Sequence, residues 1–295
     1  MLGVVNLDKP VGPTSHDMVG LLRRLTGTRR IGHAGTLDPL ASGVLPILVG
    51  AATRFSEELT GGHKRYLAVI RLGVGSATDD AQGPLTIGGP LPTDDQVRAE
   101  LPAFVGAILQ RPPTFSARKQ DGKVAHRAAR AGSPIDLPSR MVTVEAIDLL
   151  SLGRGETSLD AEVAIRCGAG TYIRSIARDL GDLLGCRGYL ASLRRTATAG
   201  LDVADALTPD QLIDLAAEGR IGEAILSIAD LLPLPHLTLD GAAATRFVHG
   251  SSIPVRADGE GGARAVFSDQ LLLGIGTLRE GILQPDKVIA PQEVG

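Results

Sequence analysis

One stretch of this chain, RIGHAGTLDPLASGVLPILVGAATR at residues 30–54, contains residue types whose spacing could suit chemistry. A histidine, His33, and an aspartate, Asp38, precede a run that is apolar enough to be a buried strand or helix. An aspartate held at the edge of a core can act as a nucleophile or a base. However, Asp38 is followed by Pro39, and Asp-Pro is also a common way to open a turn. The spacing alone leaves both interpretations open.

The composition is that of a globular protein without a long apolar segment. The 295 residues are 43% hydrophobic and include no tryptophan, so the core must consist mainly of Leu, Val, Ile and Ala. The longest apolar run, residues 41–52, is interrupted by Ser, Gly and Pro and falls short of the ~20 residues that span a bilayer. The start, MLGVVNLDKP, does not have the pattern of a signal peptide. We therefore expect a cytoplasmic protein with no membrane partner.

Two other classes of site are disfavoured by the motifs. Cys167 and Cys186 form no CxxC pair and have no histidine close to them in sequence, so we expect reduced, partly buried thiols and no metal site. The phosphate-binding pattern GxxxxGK[ST] does not occur, which argues against a nucleotide-hydrolysing enzyme of that type.

The formal net charge of −3 hides an uneven distribution of charge along the chain. Basic residues outnumber acidic ones in residues 1–65, 111–140 and 166–195, whereas acidic residues predominate in residues 196–295. Solvated helix faces can produce such a pattern. It also fits a surface that binds a polyanion on a chain kept soluble by acidic residues elsewhere.

Periodicity predicts the elements that would position these residues. Thr14 to Gly27 has the caps and the apolar spacing of an amphipathic helix. Residues 64–75 alternate as a strand with a buried face, and residues 94–107 have a helical pattern disturbed by a proline. Two further strands, MVTVEAIDLLSL and LDAEVAIRC, precede a helix that starts near Thr171.

The character of the chain changes near residue 233. Short strands separated by Gly and Pro follow, notably GARAVF and LLLGIGTL. We therefore predict a mixed α/β domain at residues 1–232 and a small β-rich domain at residues 233–295. Within the first domain, residues 111–140 begin with two prolines after an arginine and are predicted to form a basic insertion with its own short helix.

The order of five motifs resembles the TruB family of tRNA pseudouridine synthases. The motifs are VVNLDKPVGPTSHD, GHAGTLDPLASGVLPILVG, KRYLAVIRLG, RPPTFSARKQDGK and GTYIRSIARDLG, and the resemblance covers about residues 3–200. The segment from about residue 233 is similar to the PUA-like RNA-binding domain of many members. The resemblance implies an α+β (mixed) fold, with a catalytic domain built on a mostly antiparallel sheet with flanking helices, and a small β-rich PUA-like C-terminal domain.

The resemblance also implies an activity, which is the isomerisation of the T-loop uridine of tRNA, conventionally position 55, to pseudouridine. The base would be flipped out of the loop, released from C1′ at N1 and rejoined through C5. This reaction includes neither a redox step nor hydrolysis, so we expect no cofactor and no metal. The expected partner is the T-arm of tRNA, and we expect a monomer without an obligatory protein partner.

Carried over motif by motif, the resemblance assigns a role to each site residue. Asp38 of GTLDP is the expected catalytic aspartate, and Arg174 of YIRS is expected to pair with it and to keep its pKa low. Tyr66 of KRY is expected to stack on the target base. The residues expected to bind the substrate are His33, Asp80, Lys9, Lys64, Arg118, Lys119 and Lys123. Phe115 and His126 stand where the family pattern has tyrosines.

Each assignment has a structural alternative. Taken alone, Arg174 would be a salt bridge on a helix, Tyr66 a core residue and His33 a loop residue without a function. The mechanism is open as well, because a carboxylate can add to C1′ or C6 of the nucleotide or promote a glycal. The competing functions are a non-catalytic RNA-binding or RNA-folding protein and a related synthase that acts on another RNA.

Overall fold

The computed structural model describes residues 1–116, 119–120, 123–125, 128, 133, 135–255 and 261–290 and has a mixed α+β fold, as the sequence predicted. The described helices are α1 (Ser15–Thr26), α2 (Ser56–Thr60), α3 (Asp94–Glu100), α4 (Ile173–Leu183), α5 (Pro209–Ala217) and α6 (Gly241–Val248). None of these described helices is long and apolar enough to cross a membrane.

The strands fall into a large sheet, a smaller C-terminal sheet and two short hairpins. The described strands are β1 (Gly3–Lys9), β2 (Ile31–His33), β3 (Ala41–Val49), β4 (Lys64–Leu72), β5 (Val74–Ser76), β6 (Leu85–Ile87), β7 (Gly106–Gln110), β8 (Lys119–Gln120), β9 (Lys123–Val124), β10 (Arg140–Arg154), β11 (Leu159–Cys167), β12 (Gly188–Thr198), β13 (Leu201–Asp202), β14 (His236–Thr238), β15 (Ile253–Pro254), β16 (Gly262–Ser268), β17 (Leu271–Arg279) and β18 (Ile282–Val288).

The large sheet is mostly antiparallel, as predicted. Over the described residues it has nine strands in the order β1-β3-β12-β4-β11-β10-β7, with β2 also paired to β3 and β13 to β12. Strands β12 and β3 run parallel, and the neighbouring pairs β1–β3 and β12–β4 are antiparallel. Helix α4 packs on β12 and β4, so it begins beside the centre of the sheet.

Helix α1 and strand β4 form as their sequences predict. Thr14 Oγ1 accepts a hydrogen bond from Asp17 N, the Asp17 carboxylate accepts one from Thr14 N at 2.8 Å, and Gly27 ends the helix with a left-handed φ of 65°. Along β4, every second residue from Lys64 to Leu72 is buried. This alternation points Tyr66 into the core side of the sheet.

The prediction of a helix over residues 94–107 is wrong in its second half. Helix α3 ends at Glu100, a 3-10 turn follows at Leu101–Phe104, and Gly106 begins the edge strand β7. Pro102 has no N–H to continue the helical hydrogen bonds. The chain after it pairs with β10 instead, because the sheet edge satisfies its backbone groups.

The C-terminal strands form a second sheet in the order β14-β16-β17-β18-β15, with α6 beside it. The sequence predicted the strands in this region but not α6. Phe267 and Ile275 of this sheet share one apolar cluster with Leu48 and Phe55 of the preceding part of the chain. The second sheet therefore packs against the first through a common core, and the domain boundary near residue 233 stays a prediction.

Candidate active site

A cavity of about 300 Å³ opens where the large sheet meets the start of α4. Its walls come from the loop before β3, from β4 and β12, and from the segment that leads into α4. The lining residues are Gly35, Thr36, Leu37, Asp38, Thr60, Lys64, Tyr66, Ser116, Arg140, Gly170, Thr171, Tyr172, Ile173, Arg174, Leu193 and Arg195. The cavity thus brings together four residues expected from the sequence, which are Asp38, Tyr66, Lys64 and Arg174.

The loop that carries Asp38 is held at several points. Ser15 Oγ at the start of α1 donates to Leu37 O and accepts from Leu37 N, both at 2.9 Å. Pro39 O accepts from Gly12 N at 2.8 Å, and Asp38 O accepts from Ala41 N at 3.0 Å. These bonds place the Asp38 side chain at the cavity wall, where 38% of it stays exposed.

The glycines around this loop have different roles. Gly35 has a φ of 90°, which favours glycine and lets the chain turn before Asp38. Gly32 lies in β2 without a positive φ. It pairs with Leu48 in the sheet and needs only extended backbone.

Arg174 lies directly behind Asp38, and its side chain is 6% exposed. Its Nη2 atom is 2.9 Å from Asp38 Oδ2, and its Nη1 atom is 3.5 Å from Asp80 Oδ2. The guanidinium also donates to Thr78 O at 3.3 Å and to Phe115 O at 3.0 Å. One buried cation therefore pairs with two carboxylates and is fixed in its plane by two backbone carbonyls.

The charge environment of Asp38 differs from the sequence expectation. Burial raises the pKa of the Asp38 carboxyl, the nearby Asp80 carboxylate raises it further, and Arg174 opposes both effects. The pKa of Asp38 is therefore higher than usual, although Arg174 was expected to keep it low. The physical reason is that one guanidinium shared by two carboxylates compensates the loss of water only in part.

Asp80 contacts the cavity only through Arg174. It is 4% exposed and its Oδ1 accepts from Thr78 Oγ1 at 2.5 Å and from Gln82 N at 3.0 Å. These bonds fold the turn after β5, and Asp80 is not part of the cavity lining. In the structure Asp80 pairs with Arg174, and its expected role in holding a nucleotide stays a prediction.

Tyr66 is 7% exposed and presents part of its side chain to the cavity. Burial raises the pKa of its phenol, and the positive charge of the nearby Arg195 opposes this shift. Lys64, two residues earlier on β4, lines the same cavity and donates from Nζ to Thr60 O at 2.8 Å and to Gly62 O at 3.0 Å. Burial lowers the pKa of Lys64.

Lys9 and His33, two further residues expected to bind the substrate, do not line the cavity either. Lys9 is fully buried, and its Nζ donates to Pro10 O and Pro13 O at 2.8 Å each. Burial lowers the pKa of Lys9 to about 8. His33 lies on β2, where burial lowers its pKa and its Nδ1 has no hydrogen-bond partner among the described residues. Lys9 thus shapes the chain before α1.

The basic insertion is described only in part. Lys119 and Lys123 lie on the short antiparallel strands β8 and β9. Arg118 and His126 lie outside the described residues. Phe115, at the start of the insertion, contacts Arg174 through its backbone carbonyl.

Three charged or aromatic residues of the cavity lining were missed by the sequence interpretation, namely Arg140, Tyr172 and Arg195. The Arg140 guanidinium carbon lies 5.3 Å from the centre of the Tyr172 ring and the side chain donates to Gly170 O. Tyr172 stands two positions before Arg174 in the YIRS motif, so the sequence contained a signal for it. Arg195 had none, because β12 itself was not predicted.

Comparison with known proteins gives a consistent family. Residues 23–173 match the model of the TruB family pseudouridylate synthase (N terminal domain). Residues 174–233 match the tRNA pseudouridylate synthase B C-terminal domain, and residues 235–289 match pseudouridine synthase II TruB, C-terminal.

The similar proteins cover nearly the whole chain. The tRNA pseudouridine synthase B of Trichormus variabilis is 42% identical, with 99% of both chains covered, and that of Ralstonia pickettii is 38% identical, with 97% of this chain and 94% of the relative covered. A Cbf5–Nop10–Gar1 complex and an H/ACA RNP bound to a substrate RNA each contain a chain with a TM-score of 0.75 and 26% or 25% identity, covering 99% of this chain and 86% of that chain. From these matches, the chain belongs to the TruB family of pseudouridylate synthases.

Proposed function

We propose that the protein isomerises the uridine at position 55, in the T-loop of tRNA, to pseudouridine. Membership of the TruB family supports pseudouridine formation as the reaction, and the similar proteins are named tRNA pseudouridine synthase B, which supports tRNA as the substrate. The single observation that carries the proposal is the Asp38 carboxylate, partly exposed to the cavity and paired at 2.9 Å with the buried Arg174, beside the ring of Tyr66. RNA binding alone requires no such group.

Asp38 is the proposed catalytic carboxylate. In its ionised form it attacks C1′ or C6, or promotes a glycal, so that the bond from N1 to C1′ breaks. The uracil turns, C5 bonds to C1′ and the C5 proton leaves, while N1 gains a proton. Product and substrate are isomers, so the reaction consumes no oxidant and no second substrate. Arg174 keeps the carboxylate oriented through the reaction.

Base flipping is the proposed route into the cavity. A uridine stacked in a folded RNA loop does not reach a carboxylate in the wall of a cavity, so it must leave the stack at a cost of a few kcal/mol. Stacking of the base on Tyr66 offsets about 1–3 kcal/mol of this cost. The cavity volume of about 300 Å³ is of the size that a pyrimidine with part of its sugar needs.

The proposed tRNA contacts lie beyond the cavity. The basic insertion, with Arg118, Lys119 and Lys123, would contact phosphates of the T-arm. Residues 233–295 form the proposed PUA-like domain, which adds contacts outside the T-loop, and residues 1–232 form the proposed catalytic domain. The protein is proposed to act as a monomer without an obligatory protein partner.

A direct assay tests this function. The protein is incubated with an unmodified transcript of a tRNA T-arm, and pseudouridine is mapped by sequencing or mass spectrometry. The matched controls are the Asp38→Asn variant, which removes the ionisable group at nearly constant size, and a transcript with cytidine at the target position. Modification of that uridine alone is expected. A folded protein that modifies a different RNA and leaves the T-loop unmodified would support the related-synthase alternative.

A further inference from the structure

Arg178, one helical turn after Arg174 on α4, forms a further arginine–aspartate pair beside the site. Its Nη1 atom lies 2.9 Å from Asp79 Oδ2, and the two side chains are 22% and 15% exposed. Asp79 directly precedes Asp80, a carboxylate that pairs with Arg174. Residues four apart on a helix share one face, so neighbouring aspartates of one turn meet two arginines of one helix face.

The turn that carries these aspartates is held against the large sheet. Asp79 O accepts a hydrogen bond from Leu190 N at 3.0 Å, and Leu190 O accepts one from Ala81 N at 3.1 Å. Asp79 has a left-handed φ of 61°, which aspartate and asparagine adopt more readily than most other residues. The turn is therefore anchored to β12 by backbone hydrogen bonds in which the Arg178 side chain takes no part.

Arg178 also contacts the start of the basic insertion and a second carboxylate. Its Nη2 donates to Arg111 O at 3.0 Å, an oxygen that also accepts from Ser175 Oγ at 2.8 Å. The same Nη2 lies 2.7 Å from Asp179 Oδ1, and the Asp179 side chain is 35% exposed, so water solvates it better than it solvates Asp79. Asp79 is thus the partner that depends more on the counter-ion, because a buried carboxylate without a cation is costly.

Arg174 lies among several carboxylates, and Arg178 compensates one of them. Arg174 pairs with Asp38 at 2.9 Å and with Asp80 at 3.5 Å. Burial raises the pKa of the Asp79 carboxyl, whereas Arg178 and, more weakly, Arg174 lower it. The charge of Arg174 therefore acts on Asp79 as well. Removal of Arg178 would leave Asp79 to compete with Asp38 for the same buried guanidinium.

We infer that Arg178 is a positioning residue for the isomerisation, which keeps the guanidinium of Arg174 committed to Asp38. It does so by neutralising Asp79, the carboxylate that would otherwise draw Arg174 away. Arg178 is not part of the cavity lining, so it acts through Arg174 and not on the base. The inference rests on the proposed function, because Asp38 is the group that reacts there.

A charge-rescue experiment tests this role. The pH dependence of the single-turnover rate on the T-arm transcript is measured for wild type, Arg178→Met, Asp79→Asn and the double variant. On the acid limb, Arg178→Met is expected to be about tenfold slower than wild type, which corresponds to a shift of about one pH unit. Asp79→Asn removes the competing charge and keeps a residue that suits the turn, so Asp79→Asn and the double variant are expected to stay close to wild type. The described charged groups that act on Asp38 are Arg174, Asp80 and Lys9, and these variants alter none of them.

Control variants separate charge balance from structural support. Arg71→Met breaks a different arginine–aspartate pair, to Asp160 at 2.6 Å, and is expected to leave the acid limb in place. Arg178→Lys keeps the charge and is expected to retain most of the rate, and Arg178→Gln replaces Arg178→Met if the latter does not fold. The hydrogen bond to Arg111 O is lost in Arg178→Met and in the double variant alike. Equal rate losses for these two variants would therefore overturn the inference and make Arg178 a structural support of the insertion.

A second measurement does not depend on the RNA. The side-chain carboxyl carbon of Asp38 is titrated by NMR in ¹³C-labelled protein, and its signal is assigned by its loss in Asp38→Asn. The midpoint is expected to rise in Arg178→Met and to return toward wild type when Asp79→Asn is added. An unmoved midpoint in folded Arg178→Met would overturn the inference. If wild type leaves the tRNA unmodified while the midpoint moves as expected, the proposed function fails and the charge coupling stands.

Discussion

Arg174 Nη2 lies 2.9 Å from Asp38 Oδ2, and the two side chains differ sharply in exposure, at 6% and 38%. The cation is enclosed, whereas the anion faces the cavity. Because Arg174 is enclosed by the protein and Asp38 is partly exposed to the cavity, Asp38 is the member of the pair that a substrate can contact. Breaking a largely buried pair from the cation side leaves Asp38 with an uncompensated charge.

Asp38→Asn is expected to abolish pseudouridine formation while RNA affinity changes only a few-fold. The carboxylate acts on the chemical step, whereas phosphate contacts elsewhere dominate binding. Product mapping and a binding titration on the same T-arm transcript check this expectation. Measurable turnover by the purified variant would rule out Asp38 as the catalytic carboxylate.

Arg174→Met is expected to slow the reaction strongly and to move the acid limb of the pH–rate profile upward. The pKa of Asp38 is already raised by burial, and Arg174 is the main group that lowers it. Without Arg174 the pKa rises further, so the ionised fraction falls at a given pH and activity is lost at a higher pH than in wild type. Arg174→Lys should lie between the two. An unshifted acid limb would mean that Arg174 does not govern the ionisation of Asp38.

Tyr66→Leu is expected to lose about the 1–3 kcal/mol that a base stack contributes. Tyr66→Phe keeps the ring and loses the hydroxyl, so it separates the contribution of stacking from that of the hydroxyl. We expect Tyr66→Phe to be slower than wild type and faster than Tyr66→Leu. Single-turnover rates give the order, and wild-type rates for both variants would remove Tyr66 from the site.

RNA affinity is expected to fall with added salt, by about 0.7 log units per log unit of salt for each single-strand phosphate neutralised. Reversing the charges of Arg118, Lys119 and Lys123 together should weaken binding and flatten this slope. Arg220→Glu serves as a control, since Arg220 lies in the acidic C-terminal third and pairs with Glu218 and Glu223. An unchanged slope in the triple variant would mean that the insertion does not contact RNA.

A chain that ends at Leu232 is expected to be less stable than the full chain. The truncated chain lacks the second sheet, so Leu48 and Phe55, which pack with Phe267 and Ile275 in the full chain, become exposed. Lys287→Met, which breaks ion pairs to Glu58 at 2.7 Å and Glu57 at 3.2 Å, should cost only about 0–1 kcal/mol. Thermal unfolding of both variants checks this difference. Equal stability of the truncated and full chains would mean that the shared cluster contributes little.

Basic residues of the acidic segment 196–295 have partners within the protein. Lys287 binds Glu57 and Glu58 of α2, and Arg246 donates to Ser252 O at 3.1 Å. Arg256 lies outside the described residues. Sequence position gave no sign that Lys287 would meet Glu58, because the two are 229 residues apart.

Local patterns in the sequence determined the elements whose stability is local. The caps at Thr14 and Gly27 predicted α1, and the alternation of β4 predicted which face of that strand is buried. The ordered motifs identified Asp38, Tyr66 and Arg174, which the fold then brings to one cavity. The caps and the alternation each depend on residues within a few positions of one another, whereas the site residues were assigned through the resemblance that the order of the motifs carries.

Only the tertiary structure decided the centre of the sheet and the partners of the site residues. Strand β12 lies between β3 and β4, and register shifts near Ser192 and Ala197 disturb the two-residue period by which a strand is recognised. Arg195 on this strand reaches Val44 across 151 positions of sequence, and it lies opposite Tyr66 only because β12 pairs with β4 in the sheet. Local sequence carries no record of such contacts, because burial and pairing between distant segments are properties of the folded chain as a whole.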